Sequence, residues 1–301
     1  MAERNNNRQE TQEGEASRGA SDRERAERSL LDRLSHMDRR ILFLIILACA
    51  TIPLLLGVGP KMSVTPPVQG LYDAIDGLEP GSYVWLAADY DPGSKPELSP
   101  MNYALVEHLF RKDIRVISAS LWAPGPPLAQ AVFDEMAPAH GKQYGIDYVN
   151  LGFKEGREAV MVSVAEDLGR TFPEDQSGTP LDSIPMMAGI SSIQDVEIII
   201  CVSAGYPGIK EWVQQIATRY DVMIGGGVTA VSGPEMYPYI QSGQLVGLLS
   251  GMKGAAEYEQ LVGRPGLGIA GMAAQSSVHV MVVIFIIFAN VIYFLEKRRG
   301  R

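Results

Sequence analysis

The sequence predicts an α/β protein: a mainly parallel, Rossmann-like doubly wound sheet outside the membrane, flanked by two transmembrane helices. Three observations carry this expectation. The stretch Val196–Leu249 alternates apolar runs with helical patterns, and parallel strands require helical crossovers. Its runs, Val196–Val202, Val222–Ile224 and Leu245–Leu249, are apolar without alternation, as in strands buried on both faces. Two further stretches, Ile41–Gly59 and Val278–Leu295, carry no Asp, Glu, Lys or Arg. A bilayer-spanning helix needs roughly 20 apolar residues, and both fit.

Taken in order, residues 1–40 are polar, with balanced charge and few aromatics, and are expected to be largely disordered. Leu30, Leu31, Leu34 and Met37 could form a weak amphipathic face against a membrane. The apolar run then continues past Cys49 to Val58 with no small-x-small cleavage site after it, which reads as an uncleaved anchor. Arg39-Arg40 precede the first span, and Lys297-Arg298-Arg299-Gly300-Arg301 follow the second. Positive flanks stay cytoplasmic, so both termini are expected inside and Lys61–Ser277 outside, in a prokaryotic cell membrane. That middle region holds 13 Lys and Arg against 25 Asp and Glu, a net charge of −12. So acidic a domain lacks the basic face that nucleic-acid binding needs.

Within the domain, Val68–Leu78 reads as a short helix and Tyr83–Ala88 as the first strand. Ser99 and Pro100 suit the N-cap and first position of the next helix. Ile114–Leu121 and Asp147–Leu151 read as strands around a helix over Leu128–Ala139. Glu155–Thr171 reads as one helix, and Phe172–Gln194 as a long irregular stretch. After the Val196–Leu249 unit, whose first helix begins at Pro207, come a helix over Gly254–Val262 and a Gly-rich connector, Gly263–Gly271. Trp212 falls on the buried side of the Pro207–Arg219 helix, between Ile209 and Ile216. Cys49 in a span and Cys201 in a strand are not expected to meet.

Ligands of open α/β sheets bind beyond the carboxyl ends of the strands. The candidate rim therefore comprises Asp89–Lys95, Trp122–Pro127, Ser203–Gly208, Gly225–Ser232 and Ser250–Gly254. Its ligand-binding candidates are Asp89, Asp91, Trp122, Ser203, Gly205, Gly208, Gly225, Gly226, Gly227, Thr229 and Ser232. A small ligand is expected where the Ser203–Gly208 and Gly225–Ser232 loops face each other. Helix N-termini there would favour an anion, whereas the charge of −12 would repel one, unless a cation bridged Asp89 and Asp91 to it.

The segment YVWLAADYD, with Asp89-x-Asp91, resembles the first motif of haloacid-dehalogenase-like phosphatases. That resemblance implies one carboxylate attacking phosphorus and a second acting as acid or base, with Asp89 and Asp91 as the weak metal candidates. Pro92-Gly93 and the absence of an acid pair after a later strand depart from that family's pattern. Ser232 could act as a nucleophile with Lys253 as base. Ser232-Gly233-Pro234-Glu235 also fits a capping box. No dinucleotide or phosphate-loop fingerprint is present, and no cofactor or metal is expected.

The expected function is that of a ligand-binding, sensory or scaffold component of a membrane assembly. The alternative is a membrane-anchored hydrolase using Asp89 and Asp91, or Ser232. Expected partners are the lipid bilayer and other membrane proteins or further copies of the chain, with no nucleic acid and with room for a small-molecule ligand. Asn290, polar within the second span, would seek an amide partner on the first span or on another copy.

Overall fold

The computed structural model describes residues 38–57, 59 and 61–298. The amphipathic face with Leu30, Leu31, Leu34 and Met37, the polar segment before it, and the last three residues of the basic tail lie outside the described residues. The chain divides into two compact units, Met1–Ile52 with Ala274–Arg301, and Pro53–Ala273.

In the larger unit, six strands form one all-parallel sheet in the order β3-β2-β1-β4-β5-β6. They are β1 (Tyr83–Asp89), β2 (Arg115–Ser120), β3 (Tyr148–Phe153), β4 (Ile198–Ser203), β5 (Met223–Val228) and β6 (Gly247–Ser250). The order runs one way from β1 to β3 and the other way from β4 to β6, so it reverses between β1 and β4. Those two strands pair in register, Ala87 opposite Cys201 and Asp89 opposite Ser203.

Successive strand residues point to opposite faces, and each face carries its own core. On one, Trp85, Ile117, Val149, Ile199 and Ile224 pack with Met161, Val164 and Trp212. The indole of Trp85 lies 6.0 Å from that of Trp212 and 6.3 Å from the ring of Phe172, centroid to centroid. On the other, Val84, Leu86, Val116, Ile200 and Val202 pack with Leu71, Met101, Leu105, Phe133 and Tyr258. Helices therefore cover both faces, which is why the strands read as continuous apolar runs.

The covering helices are α2 (Pro66–Asp76), α3 (Lys95–Arg111), α4 (Gly125–His140), α5 (Glu158–Glu166), α6 (Leu168–Thr171), α7 (Ile209–Trp212), α8 (Thr218–Tyr220), α9 (Gly233–Gln241) and α10 (Gly251–Val262). A π-turn, Val213–Ala217, joins α7 to α8. The Phe172–Gln194 stretch is irregular as expected, with 3-10 turns at Leu181–Ser183 and Pro185–Met187.

Several boundaries differ from expectation. Helix α3 starts at Lys95, so Ser99 and Pro100 sit inside it and Ser99 is not its cap. Asp91 drives the early start, because its Oδ1 accepts the Ser94 N–H at 2.9 Å and turns the chain five residues sooner. The Glu155–Thr171 helix breaks at Asp167, whose carboxylate accepts the Arg170 N–H at 2.8 Å and caps α6. Helix α7 begins at Ile209 rather than Pro207, and α10 at Gly251 rather than Gly254.

The glycine run is the main correction. Gly225, Gly226 and Gly227 lie within β5, not in the loop after it. A side chain on any of them would collide with a neighbour: Leu71 for Gly225, the Cys201 carbonyl for Gly226, and the Met101 sulfur for Gly227. Gly226 also has φ of +153°, a conformation L residues rarely adopt. These glycines let helices and strands approach closely; they are part of the sheet.

The segment before α2 is fastened to α10. Met62 and Gln260 exchange two hydrogen bonds, backbone to amide, at 2.8 Å each. Glu257 accepts the Thr65 N–H at 2.9 Å and its hydroxyl at 2.6 Å. Glu259, buried, accepts the N–H groups of Gly266, Gly268 and Ile269, which start the next helix. That helix, α11 (Leu267–Arg298), absorbs most of the expected Gly263–Gly271 connector. Burial raises the Glu259 pKa, while these three N–H groups oppose the rise.

Helix α1 (Arg39–Leu56), which contains Pro53, and α11 are long and apolar enough to cross a membrane. Neither apolar stretch is buried in protein. Asn290 donates to the Ile286 carbonyl of its own helix at 2.8 Å, satisfying the amide N–H within the turn.

Candidate functional site

The carboxyl ends of the strands bring the candidate residues to one edge but split them into two environments. The first is the point where the strand order reverses. Asp89 ends β1 with no solvent exposure. Its Oδ1 accepts the Leu121 N–H at 2.7 Å and lies 3.0 Å from Ser120 Oγ. Its Oδ2 lies 3.7 Å from Cys201 Sγ. Burial pushes the Asp89 pKa up to about 6, against the pull of these hydrogen bonds. Burial and the Asp89 charge together raise Cys201 well above an ordinary thiol.

Trp122 closes over this knot. Its indole N–H donates to the Pro207 carbonyl at 3.0 Å, and its backbone N–H to Ser120 Oγ at 3.0 Å. Ring carbons of Trp122 lie where a side chain on Gly205 would touch them, at 3.7 and 3.8 Å. Asp91 is half-buried and turned away on its own loop, holding Ser94. The structure thus puts Asp89 beneath the Trp122 loop and Asp91 in a turn.

The second environment is a cleft of about 200 Å³ between the β4–α7 and β5–α9 loops. Ser203, Gly205 and Ser232 line it, as do Tyr206, Glu211 and Glu235. Gly208 lies beneath it, since a Cβ there would meet the Ser203 hydroxyl. Ser232 Oγ lies 3.1 Å from Thr229 Oγ1 and makes no capping bond, so the expected capping box does not form. Glu235 instead meets Lys210 Nζ at 2.9 Å across the mouth, joining α9 to α7. Lys253, considered as a base for Ser232, is held by Glu257 at 2.5 Å. Glu211, 8% exposed, reaches back to accept the Gly208 N–H at 2.8 Å.

Glu211, Lys210 and Glu235 were missed in the sequence. Gly208-x-x-Glu211 reads as the acid half of a helix cap, and Lys210 as a solvated charge. Their convergence depends on how two loops fold toward each other. A wider hollow of about 470 Å³ at the end of β3 is lined by Lys154, Phe172 and Gln176 among others. It draws on the irregular stretch after α6, which gave no local signal.

His108 lies on α3 and His140 on α4. His108 contacts Tyr258 OH at 2.8 Å and Asp76 at 3.4 Å, and stacks on Tyr72 at 4.5 Å. His140 meets Glu107 at 3.0 Å. Among the described residues, no group of three or more His, Cys, Asp and Glu gathers to hold a metal ion.

The class defined by these features is an α/β protein with an all-parallel sheet and two helices apolar enough to span a membrane. The chain matches no known family model, no curated protein and no solved structure.

Proposed function

We propose that this chain is a two-pass membrane protein whose Rossmann-like, doubly wound domain lies outside the cytoplasm and binds a small ligand for a membrane assembly. The strand order 3-2-1-4-5-6 supports the doubly wound reading, since it is the order of dinucleotide-binding sheets of that type. The basic residues flanking the two apolar helices support a cytoplasmic location for both termini. The observation that carries the binding reading is the cleft between the β4–α7 and β5–α9 loops, with polar side chains converging over an apolar floor.

The hydrolase alternative draws on one observation, the Asp89 carboxyl raised to about 6, within the range useful for proton transfer. Attack by Asp89 would first require the Trp122 loop to lift. The binding reading needs no such rearrangement and is preferred.

Two experiments test the proposal. Single cysteines at positions 20 and 140, in a Cys49→Ser, Cys201→Ser background, are labelled with an impermeant maleimide on intact cells. Labelling at 140 alone is expected, and labelling at 20 alone reverses the topology. The full chain in nanodiscs is then screened calorimetrically against small cations, anions and neutral solutes, with a Ser232→Trp variant that crowds the cleft. Binding untouched by that variant would place the ligand elsewhere.

A further inference from the structure

The cleft holds a buried carboxylate with one oxygen bonded and the other not. Glu211 is 8% exposed and lines the cleft. Its Oε2 takes the Gly208 N–H, while no described residue donates to Oε1. The Lys210 ammonium is already on Glu235. The Ser203 hydroxyl, on a residue 2% exposed, lies at the same wall; its proton is directed to the Cys201 sulfur, which leaves its oxygen as an acceptor. That second oxygen of Glu211 opens into the cleft, where a ligand bearing N–H donors can take it in place of water and form a charge-assisted hydrogen bond.

We infer that the cleft takes a small ligand bearing a primary ammonium group, with Glu211 as its counter-ion and the Ser203 hydroxyl as a second acceptor. The inference rests on the cleft being the ligand site, and it reverses the anion expected there. Both helix starts already carry an acid, Glu211 at α7 and Glu235 in the first turn of α9. The charge of −12 on residues 61–277 then works with the site, raising the local concentration of cations. A hard divalent ion takes six or more oxygen ligands, and no cluster of three candidate ligands forms among the described residues. The 200 Å³ volume and the apolar floor of Ile209, Val228 and Met236 suit a short hydrocarbon body.

The test uses the full chain in nanodiscs and three matched probes: n-propylammonium, n-propanol and propionate. Isothermal titration is expected to show binding of propylammonium at millimolar concentration and none of the others. Glu211→Gln keeps an acceptor for the Gly208 N–H and removes the charge. It is expected to weaken propylammonium by about tenfold or more, at an unchanged urea midpoint. Glu79→Gln, which removes an exposed acid away from the cleft, is expected to leave affinity unchanged. Equal affinity in Glu211→Gln overturns the inference, because the acidic surface alone would then attract the probe. Propionate binding that is lost in Lys210→Met overturns it while leaving the cleft as a ligand site. Failure of all three probes overturns both readings.

Discussion

Asp89 Oδ2 and Cys201 Sγ lie 3.7 Å apart on neighbouring strands, both side chains fully buried. Asp89 is the more informative partner because its pKa is raised, from 3.8 to about 6, chiefly by burial. A raised carboxyl pKa means that the folded state holds its proton more tightly than the unfolded chain does. Its contribution is full below about pH 3.8 and is lost as pH rises through about 6. The difference corresponds to about 3 kcal/mol between those limits. Asp89→Asn keeps the acceptor for Leu121 and removes the titration. Urea unfolding at pH 5 and pH 8 is expected to show the variant gaining on the wild type as pH rises. An unchanged difference between the two pH values would mean that Asp89 is not titrating there.

All three tryptophans, Trp85, Trp122 and Trp212, lie in the α/β domain, so intrinsic fluorescence reports on that domain alone in the full chain. Trp212, 1% exposed between Ile209 and Ile216, seals one core against Trp85. Trp212→Ala is expected to cost about 3–5 kcal/mol, as for a large core aromatic. Loss of less than about 1 kcal/mol in urea unfolding would contradict the packing.

Gly226→Ala is expected to disrupt the β4–β5 pairing rather than only block a ligand. Its Cβ would run into the Cys201 carbonyl, and backbone cannot retreat as a flexible side chain can. Circular dichroism and the urea midpoint would reveal the loss. A variant with a native midpoint would show that β5 can shift without penalty.

His108 works in the opposite direction to Asp89. Burial holds its pKa below the usual 6.5, with the nearby Asp76 opposing. A depressed histidine pKa means stability is present above the unfolded value and is lost as pH falls below about 6.5. His108→Asn is expected to flatten the fall in urea midpoint between about pH 6.5 and 5. A fall of undiminished slope would assign that acid sensitivity to other groups.

The parallel sheet was legible because burial on both faces favours unbroken apolar runs, as in Ile198–Val202. Gly225–Gly227 misled for a physical reason. Glycine usually ends a strand, yet here it is selected by the nearness of Leu71, Cys201 and Met101, which no local window contains. Ser99 misled because Asp91, eight residues earlier, had already turned the chain. The edge where loops gather was readable from strand order alone. The bonding of Glu211 to Gly208, and the free oxygen it leaves, was not, because hydrogen-bond bookkeeping needs both ends of each bond.

The reciprocal bonds between Met62 and Gln260, with Thr65 on Glu257, close the α/β domain into a ring in all but the covalent sense. A domain whose two ends are stitched at one spot is a portable cassette. It can be spliced into a loop of a different host without prising that loop apart, since the host sees only two neighbouring strings. It also tolerates new ends elsewhere. Joining residue 62 to residue 270 through a short linker, which keeps the three N–H donors on Glu259, and opening the chain at Gly178, a turn with open space around it, should leave the sheet order intact.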